Sequence, residues 1–163
     1  MTLEPLAYRL RPAALNDLEV LVGFRVRLFQ ELGELGSDSE LAGFRTLTHE
    51  SFDRGLRSGT CLAWIAEVLG PAPIASAVMH LFPKLPSPVN LALFEGYLLN
   101  IYTVPAWRRQ GAASALVEAA VREARALGLH RIRLHTTPEG RRVYEQAGFR
   151  PRLNEMEDRK SVV

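Results

Sequence analysis

Apolar positions recur along this chain at two spacings, and the switches between them mark out its elements. The run Tyr8-Arg9-Leu10-Arg11 alternates with a period of two and is stopped by Pro12, which predicts a short strand. Asn16 or Asp17 can cap a following helix in which Leu18, Leu21, Val22, Arg25, Val26 and Phe29 fall on one face, with Gly33 and Gly36 ending it. A second helix is predicted from Ser37-Asp38-Ser39 through Leu41, Phe44, Leu47 and Phe52 to Gly55 or Gly59. The period then drops to two. Residues 60–69 and 74–82 read as strands parted by the turn Gly70-Pro71-Ala72-Pro73, and the prolines at 83, 86 and 88 impose a loop.

A strand at about 96–104 is closed by Pro105, and a helix runs from Gly111 to Leu127-Gly128. Ala113, Leu116, Val117, Ala120, Ala124 and Leu127 form its apolar stripe, with Ser114, Glu118, Arg122 and Arg125 on its wet side. Ile132, Leu134 and Thr136 alternate with Arg131, Arg133 and His135, predicting a strand over 131–136. A short helix at about 139–147 ends at Gly148, and strands are expected near 149–152 and 156–162. The order β-α-α-β-β-β-α-β-α-β-β predicts an α/β fold. Its central sheet is mixed and mostly antiparallel, with a β-α-β crossover, and is flanked by helices.

The 163 residues fit one domain spanning 1–163, and no linker or repeat divides them. A chain of this size buries roughly 70% of its unfolded surface without a metal or disulfide staple. The lone cysteine, Cys61, excludes a disulfide framework and a multi-cysteine zinc site; in its apolar run it reads as an inert buried thiol. No metal is expected. The sequence holds no apolar run of membrane-spanning length and opens without a signal-peptide pattern, so the expected location is cytoplasmic, with no membrane partner. A net charge of +2 is too small for a general nucleic-acid binder. All but Lys84 and Lys160 of the 20 basic residues are Arg, a skew that reads as coding bias rather than as chemistry.

Chemistry concentrates in Arg108-Arg109-Gln110-Gly111-Ala112-Ala113-Ser114, between a strand end and a helix start. Free N–H groups and the helix dipole make such a point an anion site, and Gly111 removes the side chain where a phosphate must approach. A Walker loop would need a Lys and a second Gly, and a dinucleotide fingerprint would need GxGxxG after the first strand; both fail.

The pattern R-x-x-G-x-A at residues 108–113 resembles the acyl-coenzyme A loop of the GCN5-related N-acetyltransferases. A second run, Pro138-Glu139-Gly140-Arg141-Arg142-Val143-Tyr144-Glu145-Gln146-Ala147-Gly148-Phe149, begins 30 residues after Arg108 and looks like that family's C-terminal signature. The close resemblance covers about residues 96–150. It implies an acyl-CoA N-acyltransferase-like fold in which two strands splay and pantetheine lies between them. The backbone of Ile101, Tyr102 and Thr103 would then meet pantetheine. The amides of Arg109, Gln110, Gly111, Ala112, Ala113 and Ser114 would hold the pyrophosphate, and the Arg108 side chain would brace the loop. A backbone contact near Ile101 would polarise the thioester.

The implied reaction is direct attack by a neutral amine on the thioester of acetyl-CoA, used as cosubstrate, and Tyr144 matches the position of the acid that protonates the thiolate. Two positions depart from the pattern. Thr137 stands where some relatives carry Asn against pantetheine, and Tyr97 stands where histone-modifying members carry a catalytic Glu. Glu95, one pleat earlier, is then a candidate base, with water as the alternative. His80 is a weaker base candidate. His49 is expected on a helix surface, His130 in a turn, and His135 facing outward on its strand; Arg141 and Arg142 read as solvated. Glu31, Glu34 and Asp38 form an acidic edge suited to a cationic amine. The resulting expectation is a small-molecule amine acceptor. Peptide N-terminus or lysine acetylation and a non-catalytic acyl-CoA sensor stand as alternatives, and nucleic-acid binding ranks last. The segment Met156–Val163 offers an edge for a homodimer.

Overall fold

In the computed structural model, which describes residues 8–70, 72–152 and 154–156, five strands form one sheet in their sequence order. They are β1 (Arg9–Pro12), β2 (Cys61–Val68), β3 (Ala72–Pro83), β4 (Phe94–Thr103) and β5 (Ile132–Arg133). The first four pair antiparallel, and β5 joins β4 in parallel through the crossover helix. Helices α1 (Leu18–Glu31) and α2 (Asp38–Ser58) precede β2, α3 (Ala112–Ala126) joins β4 to β5, and the short α4 (Arg141–Gln146) follows.

The helices cover opposite faces, which is why β2 and β3 read as nearly continuous apolar runs. On one face Leu18, Leu21, Val22 and Phe52 pack against Ile65 and Val78. On the other, Leu116, Val117 and Ala120 of α3 pack against Trp64, Met79 and Leu98. Much of the predicted stripes does this, but Leu127 of the α3 stripe is exposed, and Ala112 and Ala119, outside that stripe, are buried.

Helix α2 starts where expected. Ser37 caps it, its hydroxyl accepting from the Glu40 N–H while the Glu40 carboxylate accepts from the Ser37 N–H. The helix runs through Gly55 and ends at Gly59. Gly55 serves close packing rather than termination: a Cβ there would stand 2.5 Å from the Cys61 Cβ. Two buried carboxylates stitch strands together. Glu67 accepts from Arg9 and Arg11, and Arg11 also grips Asp17 with its two terminal guanidinium nitrogens, tying β1 to β2 and to the start of α1.

The C-terminal part departs from expectation. Only Ile132–Arg133 of the predicted 131–136 strand pairs, and residues 149–152 form no strand. The reason lies in β4, which pairs with β5 only at Gly96–Ile132 and Tyr97–Arg133. Beyond that point the two chains separate, so Leu134 and its successors have no ladder to join. The expected strand at 156–162, and with it the dimer edge, lies outside the described residues except for Met156, which is exposed coil.

Candidate functional site

Separation of β4 from the chain after β5 opens a cleft of about 630 Å³, lined along one side by residues 98–103 and on the other by residues 135–137, Val143 and Tyr144. A bulge in β4 helps to shape it. Val78 pairs with Leu99 but Ser76 pairs with Tyr102, so β4 carries one extra residue there, and Asn100 takes a left-handed φ of 55°. The Asn100 amide is buried; its Nδ2 donates to the Leu21 carbonyl at 3.4 Å, and its Oδ1 has no partner among the described residues.

The end of the cleft is built around the N-terminus of α3. Unlike α2, this helix has no side-chain cap. Its first internal bond runs from the Ala115 N–H to the Gly111 carbonyl. Among the described residues, the six consecutive amides from Arg109 to Ser114 donate to no protein acceptor. Arg109 (φ 61°) and Gly111 (φ 85°) both take left-handed backbone, which turns successive N–H groups into a concave anion cradle. A Cβ on Gly111 would be strained by this left-handed backbone and would stand 3.6 Å from the Tyr8 hydroxyl. Tyr8 thus packs in the core against the start of α3, a contact the sequence pattern did not reveal.

Arg108 holds the loop to the strand it leaves. Its Nε donates to the Thr103 carbonyl at 2.9 Å, and its terminal nitrogen meets Glu31 at 2.6 Å. The Tyr102 hydroxyl donates to the same carboxylate at 2.8 Å. Desolvation pushes the Glu31 carboxyl upward, but the hydrogen bonds from Arg108 and Tyr102 and the nearby charges of Arg108 and Arg27 outweigh it, so it lies below its ordinary value. Glu31 is thus a strut for the end of β4. The expected acidic edge is corrected accordingly: its first member is neutralised by Arg108, leaving Glu34 and Asp38 exposed without it.

Tyr144 lines the cleft, its ring edge-on to Phe149 at 6.0 Å, and burial raises its phenol above the ordinary value. Thr137 also lines the cleft, and its hydroxyl oxygen accepts from the Gly140 N–H at 3.3 Å, leaving its proton available for donation. Ile101, Tyr102 and Thr103 lie along the β4 side.

Two further expectations are corrected. Glu95 is buried and held by Arg133 at 2.8 Å and Arg131 at 3.4 Å, and it does not line the cleft as a base candidate was expected to. His135 is exposed, as expected, but lies past the end of β5 rather than on a strand; it lines the cleft and its Nδ1 shares a hydrogen bond with the Tyr97 hydroxyl. His80 lies in a separate cavity beneath α1 and α2, and Cys61 is buried there with its thiol pushed up to about 11. Among the described residues, no helix is long and apolar enough to cross a membrane.

Residues 28–149 match the model of the Acetyltransferase (GNAT) family. No curated protein sequence matches the chain. Among solved structures, a predicted acetyltransferase with acetyl-CoA from Clostridium acetobutylicum is 28% identical, with a TM-score of 0.83 over 93% of this chain and 96% of that one. A GCN5-related N-acetyltransferase from Ralstonia eutropha JMP134 is also 28% identical, with a TM-score of 0.82 over 94% and 99%. A glucosamine-6-phosphate N-acetyltransferase from Arabidopsis thaliana, 16% identical with a TM-score of 0.67 over 93% and 97%, shares the fold.

Proposed function

Because the chain belongs to the GNAT family of acetyltransferases, we propose that it moves an acetyl group from acetyl-CoA to the primary amine of a small molecule by direct attack. The observation that carries the coenzyme reading is the row of six unpaired amides from Arg109 to Ser114 at the uncapped start of α3. Such a row matches the oxygens of a pyrophosphate, and the dipole of α3 adds to it. The Clostridium acetobutylicum structure, which holds acetyl-CoA, supports the same reading.

Bound in the cleft, the coenzyme supplies an acetyl thioester as electrophile. This chain must then position it, accept the developing charge and manage two protons. The β4 backbone at Ile101 is placed to polarise the thioester carbonyl. The amine nitrogen forms the new bond to the acetyl carbon as the carbon–sulfur bond breaks and the electron pair leaves on sulfur. Tyr144 donates its proton toward that sulfur, and burial keeps the phenol protonated at neutral pH and well above it. With Glu95 locked in ion pairs and Glu31 held by Arg108 and Tyr102, water takes the proton from the amine. The neutral fraction of the acceptor then sets the rate.

Release of free thiol from acetyl-CoA, measured against a panel of amines, tests the proposal. Amine-dependent thiol release is the expected result. Coenzyme binding without release for any amine would make the protein a binding module instead.

A further inference from the structure

A cavity of about 590 Å³ lies between α1, α2 and strands β2–β4, and Leu99 lines both it and the cleft. Its walls are apolar in part, through Phe44, Leu47, Phe52 and Val78. Its charged and titratable lining consists of Arg25, Arg54, His80 and the inert Cys61, with no Asp or Glu. Arg25 is unusual in the molecule. Its guanidinium lies 4.8 Å from the Phe29 ring centroid and 5.7 Å from that of Phe44. Among the described residues it has neither an ion pair nor a hydrogen bond, and the other arginines that lack an acidic partner are all exposed. Desolvation lowers its pKa, as expected for a cation set among rings without a counter-charge. Thr48, buried at 7% exposure, lines the same cavity, and its hydroxyl also lacks a partner among the described residues.

A half-buried guanidinium without an anion and a hydroxyl without a protein partner thus line the same cavity. We propose that this cavity receives the acceptor and that Arg25, with Thr48, holds a carboxylate on it, so that the substrate is an amino acid with an apolar body. The inference rests on the acetyl transfer proposed above and gives its acceptor a chemical class. A carboxylate suits the site because it matches the planar fork of one guanidinium and brings the single negative charge that one desolvated cation lacks. A polyamine, by contrast, would meet Arg25 and Arg54 as like charges, and the Glu31 carboxylate that would attract it is already taken by Arg108.

The test uses the full chain with acetyl-CoA and the proteinogenic amino acids, each paired with its amide, comparing kcat/KM per neutral amine. Arg25→Gln and Arg25→Lys are measured beside the wild type, with acetyl-CoA affinity by calorimetry as the check that each variant is folded. At least one apolar amino acid should exceed its amide by about 10- to 100-fold, the range for a hydrogen-bonded charge. Arg25→Gln should erase that preference, and Arg25→Lys should keep part of it, with acetyl-CoA affinity unchanged in both. Amides that serve as well as the acids, or a preference that survives in Arg25→Gln, would overturn the inference while leaving the transferase reading standing. If acetyl-CoA binds but nothing turns over, the same amino acids are titrated in the presence of CoA, and no saturable binding would overturn it equally. Failure of the wild type to bind acetyl-CoA would remove the reading beneath it.

Discussion

Replacing Tyr144 by Phe removes one oxygen from the cleft and leaves the ring that packs against Phe149. The hydroxyl has no hydrogen-bond partner among the described residues, so stability should change by no more than about 0.5 kcal/mol. The rate should change far more. A positioned general acid is worth roughly 10² to 10⁴ in rate. Burial holds this phenol above its ordinary value near 10, while a thiol titrates near 8.5, so complete proton transfer to sulfur is uphill by at least about 2 kcal/mol. Assistance then comes mainly as a hydrogen bond to the departing thiolate, which favours the low end of the range. We therefore expect kcat to fall about 100-fold, equivalent to about 2.7 kcal/mol, with acetyl-CoA affinity and the KM for the amine nearly unchanged. Thiol release followed by a chromogenic disulfide gives kcat and KM, and calorimetry gives the affinity. A kcat within threefold of wild type would refute the acid role. An equal loss of coenzyme affinity would instead make Tyr144 a binding residue.

Much of the architecture was legible because its signals are local. The Ser37-to-Glu40 box and the 3.6-residue stripe of α3 each depend on neighbours in sequence. The anion loop was legible for the same reason, since a helix start with small residues and Gly111 carries its own chemistry. What was hidden is set by contacts between distant segments. No spacing rule links Glu31 to Tyr102 and Arg108, or predicts that Arg131 and Arg133 close over Glu95. The splay of β4 from β5 likewise cancels an alternation over 131–136 that is real in the sequence but lacks a partner strand. Arg25 sat inside an apolar stripe and could be read only as a helix face until the rings of Phe29 and Phe44 were seen around it.

Glu31→Gln removes the charge that holds Arg108 and Tyr102. Because both members of the ion pair are more than a third exposed, stability should fall by no more than about 1 kcal/mol, while the KM for acetyl-CoA rises a few-fold; an unchanged KM would show that the strut does not position the loop. The pH dependence of kcat/KM should rise along the acceptor's own ionisation and shift with the amine used. Its falling limb should lie above pH 10, because the phenol of Tyr144 must stay protonated and burial raises its pKa. A rising limb that is the same for every amine would reveal a protein base. Hydrogen bonds from Arg11 to Asp17, and from Arg9 and Arg11 to Glu67, hold both carboxyls below their ordinary values. Their stabilisation is therefore present above the unfolded carboxyl range near pH 4 and is lost as pH falls through the depressed folded values. Urea midpoints measured from pH 6 to pH 2 should decline over that window in the wild type and less steeply in Glu67→Gln; parallel curves would contradict the assignment.

The coenzyme cradle is the central claim, and calorimetric titration with acetyl-CoA tests it most directly, on the wild type beside Gly111→Arg and Gly111→Asn. Asn tolerates the left-handed backbone and adds a small side chain, whereas Arg adds a long charged one at the same strained position beside the amides. The account predicts micromolar binding by the wild type, weakened binding by Gly111→Asn and none by Gly111→Arg, with all three proteins folded by thermal unfolding. Equal affinity in the wild type and a folded Gly111→Arg, or no binding by the wild type, would contradict it.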